Sequence, residues 1–153
     1  MRLLKQLKPQ CVLYAAAMML NEEPENLAKE LGHDGMERWW PELPSPHCFR
    51  GISMQEVQGI CFGRGFGLVY IESFPFIAPL IAPSEELAVF DEGEAGGRFL
   101  KIIHGRTGML VGEGQSGIHH AVAWDGNECY DPNGRCYSID NFAVRSAWLL
   151  IPM

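Results

Sequence analysis

Cysteine stands at positions 11, 48, 61, 129 and 136, and Cys11 has the surroundings that make a nucleophile. A thiol attacks as thiolate, and a free cysteine with a pKa of about 8.5 is mostly protonated at neutral pH. Cys11 follows Pro9 and Gln10 and opens the run CVLYAAAMML. Pro9 pre-sets a helix start and the residues after it are good helix formers, which predicts a helix over 10–20 with Cys11 in its first turn. Unpaired backbone N–H groups and the positive end of the helix dipole favour an anion there and offer donors to a developing oxyanion.

A base and a group to orient it are found by register. Asp125-Gly126 is a strong two-residue hairpin turn between HHAVAW (119–124) and NECYD (127–131). Pairing Trp124 with Asn127 and stepping outward predicts Val122 opposite Cys129 and His120 opposite Asp131. Side chains so paired have Cβ atoms roughly 4.5–5.5 Å apart on one face, within reach of a carboxylate–imidazole hydrogen bond. His119 would face Pro132, which cannot orient it, and alternation sends His119 to the other face. Cys11, His120 and Asp131 then follow the logic of nucleophile, base and orienter. Gln6 and Gln10 lie upstream of Cys11, and a side-chain amide from either could join the Cys11 backbone N–H as an oxyanion donor.

The start QLKPQCVLYAAAMML (6–20), with HAVAWDG from His120 and YDPNG from Tyr130, resembles papain-like cysteine peptidases, most nearly their bacteriocin-processing branch that removes double-glycine leaders. In that family an upstream Gln, a Cys opening the central helix, a strand His and an Asp or Asn in a "DP" stretch form the active site. The resemblance implies Gln6, Cys11, His120 and Asp131 in those roles. It covers both ends of the chain and not the middle, from about 22 to 101. This chain has Val12 where the family usually has Gly, and its Gln6 lies five residues before the Cys where six is common.

The elements that must position these groups follow from pattern. The helix over 10–20 is apolar all round, which predicts burial at the centre of a domain. A second helix is predicted over 23–31, with Pro24 near its start and Gly32 as its stop. A third, over 53–63, has Ser53 as N-cap and Glu56 at the capping-box position. Between 35 and 51 runs a loop rich in Trp and Pro, and 66–72 reads as a strand. The stretch 74–97 mixes three prolines with an acidic patch from Glu85 to Glu94 and is read only as an insertion or lid. A short helix over 98–104 and strands over 108–112, 119–124, 127–131, 135–139 and 147–151 complete the chain. Helices first and antiparallel strands afterwards predict an α+β fold, and with the resemblance a papain-like one whose central N-terminal helix packs against a small antiparallel sheet.

A chain of 153 residues, 47% hydrophobic and 20% charged, fits one domain spanning 1–153. A net charge of −7 without Lys/Arg clusters argues against nucleic acid as a partner. The start, with its basic residues and ten-residue apolar run, fits a signal peptide poorly because no small-residue cleavage site follows. No stretch approaches the roughly 18 apolar residues of a membrane span. The odd cysteine count without CxxC spacing speaks against a disulfide scaffold, and a reducing cytoplasm is expected. His47, Cys48, His33 and Cys61 fit no common zinc spacing, so no metal and no cofactor are expected.

Each candidate also has a plainer reading. Cys11 could be a small buried hydrophobe. His120 could be a satisfied core histidine, and Asp131 in Asp-Pro-Asn-Gly could cap a β-turn, from which it could still face His120. Trp39 and Trp40 could line a groove, although packing the loop onto the core is the expected role. The Gly-rich run 112–117 lacks the Lys and following helix of a phosphate loop and reads as a connection. Cys129 and Cys136 are expected as two free thiols. The acidic patch is expected as a solvated loop rather than a selector of basic substrates. The resulting expectation is a cysteine hydrolase that cleaves a peptide or isopeptide bond in a peptide or protein substrate. The alternatives are a papain-like fold that has lost catalysis and binds another protein, and a thiol-dependent acyltransferase or deamidase.

Overall fold

The computed structural model describes residues 1–73, 92–113 and 119–153, with backbone only for 92–96. The run 74–91, which holds most of the proposed insertion and of the acidic patch, and residues 114–117 of the Gly-rich run lie outside the described residues.

The architecture is α+β. Three helices come first, α1 (Cys11–Leu20), α2 (Pro24–Leu31) and α3 (Met54–Gly63), then β1 (Phe66–Glu72) and α4 (Glu92–Ile103). The rest is strand: β2 (Gly108–Glu113), β3 (His119–Trp124), β4 (Cys129–Asp131), β5 (Arg135–Tyr137) and β6 (Ala143–Pro152), with a 3₁₀ turn at Ile139–Asn141. They form one six-stranded sheet in the order β1-β6-β2-β3-β4-β5, antiparallel throughout. Among the described residues no helix is long and apolar enough to cross a membrane.

Each helix ends where local chemistry ends it. Asn21 closes α1 and Gly32 closes α2, both with positive φ. Ser53 Oγ accepts the Glu56 N–H while the Glu56 carboxylate accepts the Ser53 N–H, completing the capping box of α3. The helix placed at 98–104 is longer than expected and starts at Glu92. The last strand is also longer than 147–151, because the β2 edge offers it hydrogen bonds from Ala143 onward.

The sheet is apolar on both faces, and each face has its own core. On one, Leu13, Ala16, Ala17 and Met18 of α1 meet Ala121 and Ala123 of β3. Alanine on both surfaces lets helix and sheet approach closely, and burial of the whole α1 face holds the helix in one orientation. On the other, Val122, Trp124, Cys129, Leu149 and Phe142 pack with Phe99 and Ile103 of α4. Filling α1 with a cavity by truncating Met18 or Leu13 to Ala would cost about 2–5 kcal/mol.

The hairpin register differs from the expected one. Trp124 pairs with Cys129, not with Asn127, so the β3–β4 connection is the four residues 125–128. The Asp125 carboxylate takes the N–H groups of Asn127 and Glu128 at 2.9 and 2.8 Å, which removes them from the ladder. Gly126, at φ +103, lies so close to the Gly105 backbone that a Cβ would come within 2.8 Å of it. Side-chain capping and this docking outweigh the tight two-residue turn. Carried one step on, the ladder sets Val122 rather than His120 across from Asp131. A slip of two residues keeps every side chain on its face, so His120 becomes a diagonal neighbour of Asp131 instead of a direct one.

Candidate active site

Cys11 is the first residue of α1, and no side chain caps the helix start. Its position is set by the segment before it. The Gln10 N–H is shared between the Lys8 carbonyl at 2.8 Å and Gln6 Oε1 at 3.1 Å, which folds residues 6–10 into a compact approach to the helix. The same segment is tied to the far end of the chain: the Gln6 N–H donates to the Pro132 carbonyl at 2.7 Å, and Lys5 bridges to Asn133. Cys11 is half-buried, and Val12 after it packs into the first core, leaving the cleft to the sulfur.

His120 and Asp131 are in contact. His120 Nε2 lies 2.8 Å from Asp131 Oδ1. With Nε2 so engaged, Nδ1 is the ring nitrogen left for the Cys11 thiol, which hydrogen-bonds the imidazole. Burial disfavours the imidazolium, but the bond to Asp131, the bond to Cys11 and the charge of Asp131 outweigh it and raise His120 from 6.5 to about 9. A second ring, Phe142, stands edge-on to the imidazole at 6.3 Å between centroids.

Asp131 is buried and fully engaged. Its Oδ1 also accepts the Asn133 N–H at 2.7 Å, and its Oδ2 accepts the Tyr137 hydroxyl at 2.6 Å. Burial raises its pKa, but the His120, Tyr137 and Asn133 donors overcome that and hold it below the ordinary carboxylate value. Asp131 therefore caps its own turn and faces His120 at once. The turn is a three-residue loop closed by the Gly134 N–H on the Asp131 carbonyl at 2.8 Å, with Gly134 at φ +85.

Tyr137 is the partner that sequence reasoning missed. Its hydroxyl is pushed above the ordinary tyrosine value, by burial first and then by the Asp131 carboxylate it donates to. The signal was available: the Asp-Pro-Asn-Gly turn pairs Asp131 with Arg135, and alternation puts Tyr137 on the same face.

These groups line one cleft of about 840 Å³, together with Gln6, Pro9, Pro46, Asn133, Arg135 and Asn141. Gln6 and Gln10 differ in where they point. Gln6 is in the cleft, donating through Nε2 to Asn133 Oδ1 at 3.2 Å with its second amide N–H still to spend. Gln10 turns away and donates to the Asp34 carbonyl at 2.9 Å. His119 is exposed at the cleft border, and Asp131 is bonded to its neighbour instead.

The remaining candidates sit elsewhere. His33 bonds Glu56 at 2.8 Å and accepts the Gly35 N–H, and among the described residues no group of His, Cys, Asp and Glu is arranged to hold a metal. Trp39 and Trp40 do not pack onto the core: they are 53% and 43% exposed and contact each other edge-on, with Arg50 stacked over Trp39. The loop is closed by its backbone, through Gly51 N–H to the Gly35 carbonyl and Arg50 N–H to the Glu37 carbonyl, so it needs no aromatic anchor. Cys129 and Cys136 are free thiols, one buried and one exposed. Comparison of the chain with protein families, curated proteins and solved structures finds no match.

Proposed function

We propose that the chain is a papain-like cysteine hydrolase that cleaves a peptide or isopeptide bond through an acyl-thioester on Cys11. One observation carries this reading: the His120 ring is held between the Cys11 thiol and the Asp131 carboxylate, in an open cleft. That arrangement lets the imidazole take the thiol proton and keep it, because the carboxylate behind it stabilises the imidazolium.

In the first half-reaction the Cys11 thiolate adds to the substrate carbonyl carbon. The oxyanion develops beside the first-turn N–H of α1 and the spare Gln6 amide N–H. The C–N bond breaks as His120 returns the proton to the leaving amine. In the second, His120 removes a proton from water, the hydroxide adds to the thioester, the C–S bond breaks and the carboxylic acid leaves with the thiol restored. No metal or organic group takes part. Free thiols throughout suit a reducing compartment such as the cytoplasm.

Iodoacetamide labelling of Cys11 near neutral pH, read by peptide mapping, tests the reading. Rapid labelling that is lost in His120→Ala supports it. Labelling no faster than that of a free thiol supports the alternative, a papain-like fold that binds another protein without catalysis.

A further inference from the structure

The hydrolase reading names a bond and not what surrounds it, and the cleft holds a charge that the mechanism does not use. Arg135 sits directly across the β4–β5 ladder from Asp131 and lines the same cleft. A cation opposite a carboxylate at that spacing would ordinarily pair with it. Here both Asp131 oxygens are already committed, to His120, Asn133 and Tyr137. Arg135 is exposed, and no carboxylate among the described residues pairs with it. Among the described residues that line the cleft Asp131 alone is acidic, and it is bonded to His120. Arg135 is therefore a cation of the wall that no described carboxylate holds, beside uncharged amides on Gln6, Asn133 and Asn141.

Resting on the hydrolase reading, we propose that Arg135 selects substrates carrying a carboxylate next to the bond that is cleaved. A guanidinium presents a planar fork of donors that matches a carboxylate with two hydrogen bonds. The protein's net charge is −7, so the attraction is local and screened beyond roughly 8 Å at physiological salt. The carboxylate can belong to an acidic side chain or to a chain terminus.

A matched pair of reagents tests this without a known substrate. Iodoacetate and iodoacetamide alkylate the same sulfur and differ by one carboxylate. The ratio of their rates at Cys11 is measured in a Cys136→Ser background, because the Cys136 thiol borders the same cleft. Arg135→Gln is expected to lower the ratio about two- to fivefold, the range of an exposed ion pair, and Arg135→Lys to retain most of it. The parent's ratio is expected to fall with added salt, and that of Arg135→Gln to fall less. A ratio indifferent to Arg135→Gln overturns the proposal. Slow iodoacetamide labelling of the parent sinks the hydrolase reading alone, because the ratio stays measurable on a slow thiol. Protection of Cys11 by alanine tripeptides separates the two sources. A free C-terminal carboxylate that protects better than the amide assigns a chain terminus, and an amidated peptide carrying aspartate that does so assigns an acidic side chain. Equal protection by the neutral amide, or protection by none of the three, overturns the proposal.

Discussion

Two histidines in this chain are held by carboxylates at the same distance, and they are built for different ends. His33 Nε2 lies 2.8 Å from Glu56, and His120 Nε2 lies 2.8 Å from Asp131. Both carboxylates are pushed below the ordinary range. Burial alone would raise Glu56, but the Ser53 N–H and the His33 donor bring it to about 2. The difference lies in the second ring nitrogen. His33 Nδ1 accepts the Gly35 N–H at 3.1 Å, which fixes that ring as a strut at the neck of the 35–51 loop, its side chain only 4% exposed. The second nitrogen of His120 meets a thiol in an open cleft. A histidine–carboxylate pair is thus a structural commonplace, and its third partner decides whether it can move a proton.

Substitutions of the two histidines break the comparison most directly. His120→Ala should lower turnover by about 10²–10⁴-fold, the usual contribution of a positioned acid–base group, and bring Cys11 alkylation down to a free-thiol rate. His33→Ala should leave alkylation of Cys11 within about twofold, because its ring stabilises a loop. Equal losses from both variants would erase the distinction. Next in size is the proposed oxyanion donor: Gln6→Ala should reduce peptide hydrolysis by about 10²–10³-fold and Gln10→Ala far less, as measured on any substrate found.

The pH dependence sharpens the contrast further. His120 is raised in the folded protein from 6.5 to about 9, so its contribution is fully present below the unfolded value of 6.5 and is lost as pH rises through about 9. A shift of that size corresponds to stabilisation on the order of 3 kcal/mol. Denaturant melts at pH 6 and pH 10 should show this loss, and Asp131→Asn should flatten it by removing the negative charge that holds the proton on His120. Hydrolysis should fall through the same alkaline range, because the leaving amine needs the imidazolium proton. His33→Ala should cost about 1–3 kcal/mol of stability with no change in that alkaline limb. Smallest is Tyr137→Phe, which removes one hydrogen bond from Asp131 and should lower stability by about 1 kcal/mol while loosening the His120 ring.

Much of this arrangement was legible in residue order, for reasons that differ by element. α1, α3 and β1 have strong local signals, an apolar run after proline, a capping box and a β-branched stretch, and they lie within a residue or so of expectation. The His120–Asp131 pairing was reached through a wrong register, and it survived because an even slip preserves the face. Which turn formed depended on Gly126 docking against Gly105, a contact 21 residues away in sequence that no local pattern encodes. Gln6 and Gln10 could not be separated from spacing, because their directions are set by Asn133 and Asp34, distant in the chain. Tyr137 was readable and was passed over. The exposure of Trp39 and Trp40 was not, since the loop is closed by its own main chain.

The bridge between Lys5 and Asn133, with its companion bond from Gln6 to the Pro132 carbonyl, has a consequence for the newly made chain. His120 and Asp131 follow Cys11 by 109 and 120 residues, and synthesis proceeds at about 5–20 residues per second. For those seconds the ribosome carries a cysteine with no imidazole beside it. The cleft takes shape only when residues 5–6 close against residues 132–133, so Cys11 and His120 meet late, after the whole span between them has been made.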